Sequence, residues 1–119
     1  MIIIIFKNVV FNDEIDLSVS NTVYLEISGH SDLNKKGNDI LCSAISALSQ
    51  TFILTVARIL KINQQISRDD GFLSSLITLD EVSAEDRLKL KLLIESLLIG
   101  FLEINGEYPD KIKIEFVND

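Results

Sequence analysis

The spacing of apolar and polar positions changes several times along the chain. Ile2 to Phe6, "IIIIF", is a run of mostly β-branched residues, which favours a buried strand, and the apolar character carries that strand on through Val9 to Phe11. "NDEIDLSVSN" is polar and turn-rich. Val23, Leu25 and Ile27 then alternate with Tyr24, Glu26 and Ser28, the period of a half-buried strand, and Gly29 ends it. The stretch from Ser31 to Asn38 offers almost nothing to bury and predicts a loop. A helix is predicted from an Asn38 or Asp39 cap to about Leu60, with Arg58 and Lys61 where its dipole favours positive charge.

Gln64 to Arg68 and Phe72 to Leu79 predict a hairpin around Asp70-Gly71, a pair suited to a tight turn. Ser83 followed by Asp86 resembles a capping box and opens a second helix from Ala84 to about Ile104. Gly106 and Pro109 in "NGEYPD" are expected to stop that helix. Ile112, Ile114 and Phe116 alternate with Lys113 and Glu115 as a last strand. The order β-β-α-β-β-α-β predicts an α+β fold with both helices packed on one face of a small sheet. "LKLLIESLLIGFLEI" is apolar on more than one face. The first helix is apolar too, with Ser43, Ala44, Ser46 and Ala47 small enough for close approach. More apolar helix surface than one small sheet covers predicts a homodimer.

A length of 119 residues suits one domain over residues 1–119 with one real core, and 47% apolar residues without low complexity exclude disorder. A net charge of −7 and a pI near 4.6 argue against a broad phosphate-binding face, so no direct nucleic-acid partner is expected. The opening residues lack the basic start and small-residue cleavage site of a signal peptide. Ile40 to Leu60 is long enough to span a bilayer, yet it holds Gln50, Arg58 and several hydroxyl residues, so a buried helix of a cytoplasmic protein is the better reading and no membrane partner is expected.

The chemistry concentrates in "SGHSDLNKKGNDILCSAIS", which contains the only histidine, His30, and the only cysteine, Cys42. Cys42 falls in the first turn after the Asn38/Asp39 cap, where helix amides favour a thiolate. A neighbouring imidazole would accept the thiol proton and pass it to a leaving amine, and first-turn amides would stabilise an oxyanion. The parity of His30 matches Tyr24, Glu26 and Ser28 rather than the buried set, unless Gly29 resets the direction. Against the pair stand a Cys42 that is only a small buried hydrophobe and a His30 that is only a loop residue. A redox-sensing thiol that ignores His30 is a further alternative. No metal or cofactor is expected: zinc takes at least three protein ligands, so His30 and Cys42 would have to recruit Asp32 or Asp39. Phosphate-loop, GxSxG, HExxH and GxGxxG patterns are missing. Asp39 fits two jobs, capping the helix and orienting His30. Gly37 lets the loop turn into the helix and supplies a hinge.

Gly29-His30 at a strand end, a loop, and then "GNDILCSAISAL" opening a helix closely resemble the ribosomal-processing cysteine protease family, Prp. The matching residues are Gly29, His30, Gly37, Asp39 and Cys42, and the likeness continues through "DDGFLSSLITL", "LLIESLLIGFLEI" and "YPDKIKIEFV". The sequence departs from the family in a longer segment before Gly29, in Ser43 after the cysteine, and in Asn105-Gly106, expected to shorten the second helix. The resemblance implies a homodimeric bacterial cysteine protease that removes the N-terminal extension of the precursor of large-subunit ribosomal protein twenty-seven. It assigns Cys42 as nucleophile and His30 as general base and acid. The rival from another class is a non-catalytic dimeric module that binds the ribosome.

Overall fold

The computed structural model describes residues 1–30 and 40–118. In chain order the elements are β1 (Ile2–Lys7), β2 (Val10–Asn12), β3 (Glu14–Asp16), β4 (Thr22–Gly29), α1 (Ile40–Thr55), β5 (Gln64–Asp69), β6 (Phe72–Thr78), α2 (Ala84–Glu107) and β7 (Ile112–Val117). A π-helical turn, Val56–Leu60, continues α1. Five strands form one sheet in the order β5-β6-β4-β1-β7, and β2 and β3 form a separate two-stranded sheet. The fold is mixed α+β, and the expected order is corrected by the two short strands inserted between β1 and β4.

The alternation along β1 is the structural reason for a one-sided sheet. Ile2, Ile4 and Phe6 are buried while Ile3, Ile5 and Lys7 are only half-buried. Each fully buried Ile or Phe contributes about 1.5–3 kcal/mol. Register carries the buried face across the sheet: Ile4 pairs with Ile27 of β4 and Ile114 of β7, and Phe6 with Leu25 and Phe116. Phe6 meets Phe101 of α2 at 6.2 Å between ring centroids. On β5, Gln64 donates to the Ile53 carbonyl of α1 at 2.8 Å and accepts from the buried Ser75 hydroxyl at 2.6 Å. Leu25 pairs with Ser75 and Ser75 with Ile66, two residues from Gln64, so both helices lie on the Phe6 side.

The first strand does not continue to Phe11. Asn8 has φ 63°, a left-handed conformation that asparagine tolerates. Its amide still reaches the Val117 carbonyl at 2.9 Å, but the chain beyond it leaves the sheet. "NDEIDLSVSN" is likewise more than a polar turn. Asp13, at φ 66°, reverses β2 into β3, and Ile15 and Leu17 are buried in the core. The hairpin docks on α2 through Lys91 to Glu14 at 3.3 Å and through the Ile15 amide, which donates to Glu95 at 3.3 Å. At its end, the hydroxyl and amide of Ser18 donate to Asp16 and lower that carboxyl's pKa. Three-residue strands are too short for a period of two to stand out.

The start of α2 matches its sequence signal: the Ser83 hydroxyl accepts from the Asp86 amide at 3.1 Å. Its end is a correction. Asn105 and Gly106 lie inside the helix, which runs to Glu107. Asn105 donates its side-chain amide to the Ile112 carbonyl at 2.9 Å and so ties the last turn to β7. Helix surface remains exposed beyond the sheet: Leu88, Leu92 and Ile99 of α2 and Ile40 of α1 are 67% to 75% exposed. Ile40–Leu60 is 21 residues long and apolar enough to cross a membrane by length and composition. Its Leu41, Ile45, Phe52, Ile53 and Val56 are buried in the core.

Gly106 is exposed, keeps an ordinary negative φ, and has open space where a Cβ would stand. Gly106→Ala is therefore expected to stabilise the protein by roughly 0.5 kcal/mol through helix propensity and a less free unfolded chain. Urea denaturation checks this. A destabilised variant would restore Gly106 as a left-handed stop.

Candidate active site

His30, after β4, and Cys42, in α1, line one cavity. It has a volume of about 280 Å³ and opens between the end of β4, the β5–β6 turn and the first turns of α1. Ile2, Ile27, Ile45 and Leu73 form its apolar wall, and Ser46, Gln50, Arg68 and Asp69 supply polar groups. A larger cavity of about 620 Å³ lies between the β2–β3 hairpin and the start of α2, and neither residue lines it.

Cys42 is the third residue of α1, Ile40–Thr55. It is half-buried and carries a thiol rather than a disulfide. The preceding residue, Leu41, is 1% exposed and Ile45 is 2% exposed, so the core fixes the rotation of the helix and thereby aims position 42. The thiol sits against the apolar cluster and also lines the cavity. Ser49, also on this face, satisfies its hydroxyl by donating to the Ile45 carbonyl at 2.7 Å.

His30 is exposed and follows β4 directly. Strand parity placed it on the face away from the helices. Gly29 changes that: its φ of +94° is one that side-chain-bearing residues rarely adopt, and it turns His30 into the cavity. A Cβ at position 29 would stand 2.1 Å from the Met1 carbonyl oxygen, so glycine is also required for the approach of β1. Backbone bonds hold this corner. The Gly29 amide donates to the Gly71 carbonyl at 2.9 Å, and the Met1 amino group donates to the His30 carbonyl at 2.6 Å.

The β5–β6 turn is a part of the site that the sequence pattern did not single out. Asp70-Gly71 was legible only as a tight turn, and that it is, with Asp69 pairing Phe72 across it. The turn also lies against the imidazole of His30. Gly37 and Asp39, the hinge and the residue with two possible jobs, fall outside the described residues. Among the described residues no three His, Cys, Asp or Glu side chains cluster as metal ligands.

The cavity holds the kinds of group that acyl transfer uses, a thiol near the start of α1 and an imidazole, beside an apolar wall. Known proteins point the same way. The family model for cysteine protease Prp matches residues 10–113. No curated protein matches the sequence. Among solved structures, the essential ribosomal processing protease Prp from S. aureus, in complex with a covalently linked product peptide, superimposes with a TM-score of 0.74 at 18% identity, over 98% of this chain and 99% of that one. The same S. aureus protein with a substrate peptide gives 0.67 at 19% identity, over 98% and 99%. A Streptococcus mutans protein gives 0.67 at 21% identity, over 100% of this chain and 96% of its own. These likenesses establish a shared fold, and the family match across most of the chain establishes descent and chemistry. The chain belongs to the cysteine protease Prp family, and it is a cysteine protease rather than a non-catalytic binding module.

Proposed function

We propose that Cys42 is the nucleophile and His30 the general base and acid of an endopeptidase that removes the N-terminal extension of large-subunit ribosomal protein twenty-seven. The observation that carries this reading is that the only imidazole and the only thiol of the chain line one cavity. The substrate assignment draws on the family and on the S. aureus relative, which is described as a ribosomal processing protease and was solved with peptides. Such an enzyme works in the cytoplasm, where ribosomal proteins are made.

In the proposed reaction the Cys42 sulfur attacks the scissile carbonyl while His30 takes its proton. The oxyanion forms beside the first-turn amides of α1. Collapse breaks the C–N bond, and the imidazolium gives its proton to the departing amine. A thioester remains. His30 then takes a proton from water, the hydroxide attacks the acyl carbon, and the C–S bond breaks. The thiolate recovers the proton held by the imidazolium, and the new carboxylic acid gives its own proton to water as it leaves as the carboxylate. His30 is well suited to both transfers because it is exposed at the cavity mouth, within reach of water.

A homodimer built through the helices is part of the same reading. Leu88, Leu92 and Ile99 recur along α2 at spacings of four and seven and remain 67% to 68% exposed, more apolar stripe than a monomer of this size usually shows to water.

Three outcomes follow. With a peptide spanning the expected ribosomal-protein cleavage site, Cys42→Ala and His30→Ala are each expected to lose at least about 1,000-fold in kcat/KM. The double variant should lose little more, since the two act as one unit. Near wild-type cleavage by His30→Ala would overturn the pairing. Asp39→Asn keeps a good helix cap without the charge, so unchanged activity assigns Asp39 to capping, and a large loss at unchanged stability assigns it to orienting His30. Light scattering over a wide concentration range is expected to give twice the 13.3 kDa chain mass, and a mass of one chain throughout would refute the dimer.

A further inference from the structure

We infer that Gly71 is a positioning residue for the reaction: the bare α-carbon of the β5–β6 turn is the surface on which the imidazole of His30 rests. The inference depends on the proposed role of His30. A Cβ placed on Gly71 would lie 2.7 Å from Nε2, 3.2 Å from Cε1 and 3.4 Å from Cδ2 of His30. The first distance is below any real carbon contact. Three ring atoms within reach show that the edge of the imidazole lies against the turn, with Nε2 nearest to it.

The backbone accounts for the closeness. The Gly29 amide donates to the Gly71 carbonyl at 2.9 Å, which joins the end of β4 to the turn one residue before His30. Ser28 pairs with Phe72 immediately beyond. The strand ladder therefore delivers His30 to Gly71 as a matter of register. The turn is anchored by strand pairing: Gly71 sits at φ +66° between the paired residues Asp69 and Phe72. Cys42 lines the same cavity. The turn closes off one direction of movement for the ring, which helps to keep the imidazole in the cavity that Cys42 also lines.

Gly71 thus serves two needs with one absence. Its φ requires a residue that tolerates the left-handed region, and its neighbour requires one without a Cβ. Asparagine separates them. It visits left-handed conformations readily, yet it brings a Cβ. Because the obstructing atoms are the far end of a side chain rather than backbone, the variant folds and the ring moves. A displacement of about 1 Å in a catalytic group costs on the order of 100-fold in rate.

The experiment compares Gly71→Asn, Gly71→Ala and His30→Ala, using peptide cleavage, thermal melting and NMR of the single histidine labelled at Cε1. Expected is a fall in kcat of about 100-fold for both Gly71 variants, with KM little changed. The melting temperature of Gly71→Asn should stay near wild type, and the His30 resonance should shift in both. Should Gly71→Ala fail to fold, the asparagine variant decides alone. Wild-type cleavage by Gly71→Asn beside an inactive His30→Ala would overturn the positioning role and leave the His30 assignment standing. Lost activity with an unmoved His30 resonance would also overturn it. Wild-type cleavage by His30→Ala would sink both.

Discussion

The pairing of β1 with β4 is the constraint on which both core and cavity depend. It sets Ile2 opposite Gly29, Ile4 opposite Ile27 and Phe6 opposite Leu25. A slip by one residue would exchange Ile2, Ile4 and Phe6 for Ile3, Ile5 and Lys7 on the helix face. That exchange would put an ammonium group into the core, so the register is strongly specified. The same pairing decides where β4 ends. With Ile2 matched to Gly29, the next residue is already past the sheet, and the Met1 carbonyl closes in so tightly on Gly29 that no side chain fits there. Burial at one end of the strand pair thereby fixes the exit of His30 at the other.

The other half of the site is held by a different set of contacts. α1 is oriented by Leu41, Ile45, Phe52 and Ile53, each at most 4% exposed, and by Gln64, which links its Ile53 carbonyl to Ser75 of the sheet. Against α2 it packs closely at Gly100, where a Cβ would stand 2.9 Å from Leu48. Cys42 follows Leu41, so the side chain that anchors the helix start also sets the direction of the thiol. The cavity persists between them because Ser46 and Ser49 are small and Gly71 adds nothing across from them. Lengthening these residues would fill it.

Much of this was legible in the order of residues. Alternation gave β4 and β7, the Asp70-Gly71 turn gave the β5–β6 hairpin, and Ser83 with Asp86 marked the start of α2. The lapses share a cause. Asn8, Asp13 and Gly29 each take a positive φ, and at each the period of two is reset, so Val9 to Phe11 did not extend β1 and His30 did not keep the parity of Ser28. Ile15 and Leu17 hid in a segment that reads as polar because their strands are too short to show a pattern. Gly106 misled in the opposite direction. A glycine that could stop a helix does not do so when Asn105 is already tied to β7. His30 and Cys42 stood out as the only imidazole and the only thiol in the sequence, whereas the closeness of Gly71 to His30 is a long-range contact that no spacing encodes.

A chain with one imidazole and one thiol leaves its chemistry little redundancy, and the structure shows where support comes from instead. Among the described residues the contacts around His30 are backbone: the Gly71 carbonyl on Gly29, the Met1 amino group on His30, and the bare turn beneath the ring. Backbone groups within paired strands lose little further freedom when they hold a neighbour, because folding has already ordered them. A flexible polar side chain doing the same task would lose up to about 2 kcal/mol of rotamer freedom. It would also occupy cavity volume that a substrate peptide needs. In a fold this small, glycine at positions 29 and 71 is therefore the means by which a sheet edge becomes a cavity wall: the missing Cβ at position 29 lets the Met1 backbone close in, and the missing Cβ at position 71 lets the turn lie against the imidazole.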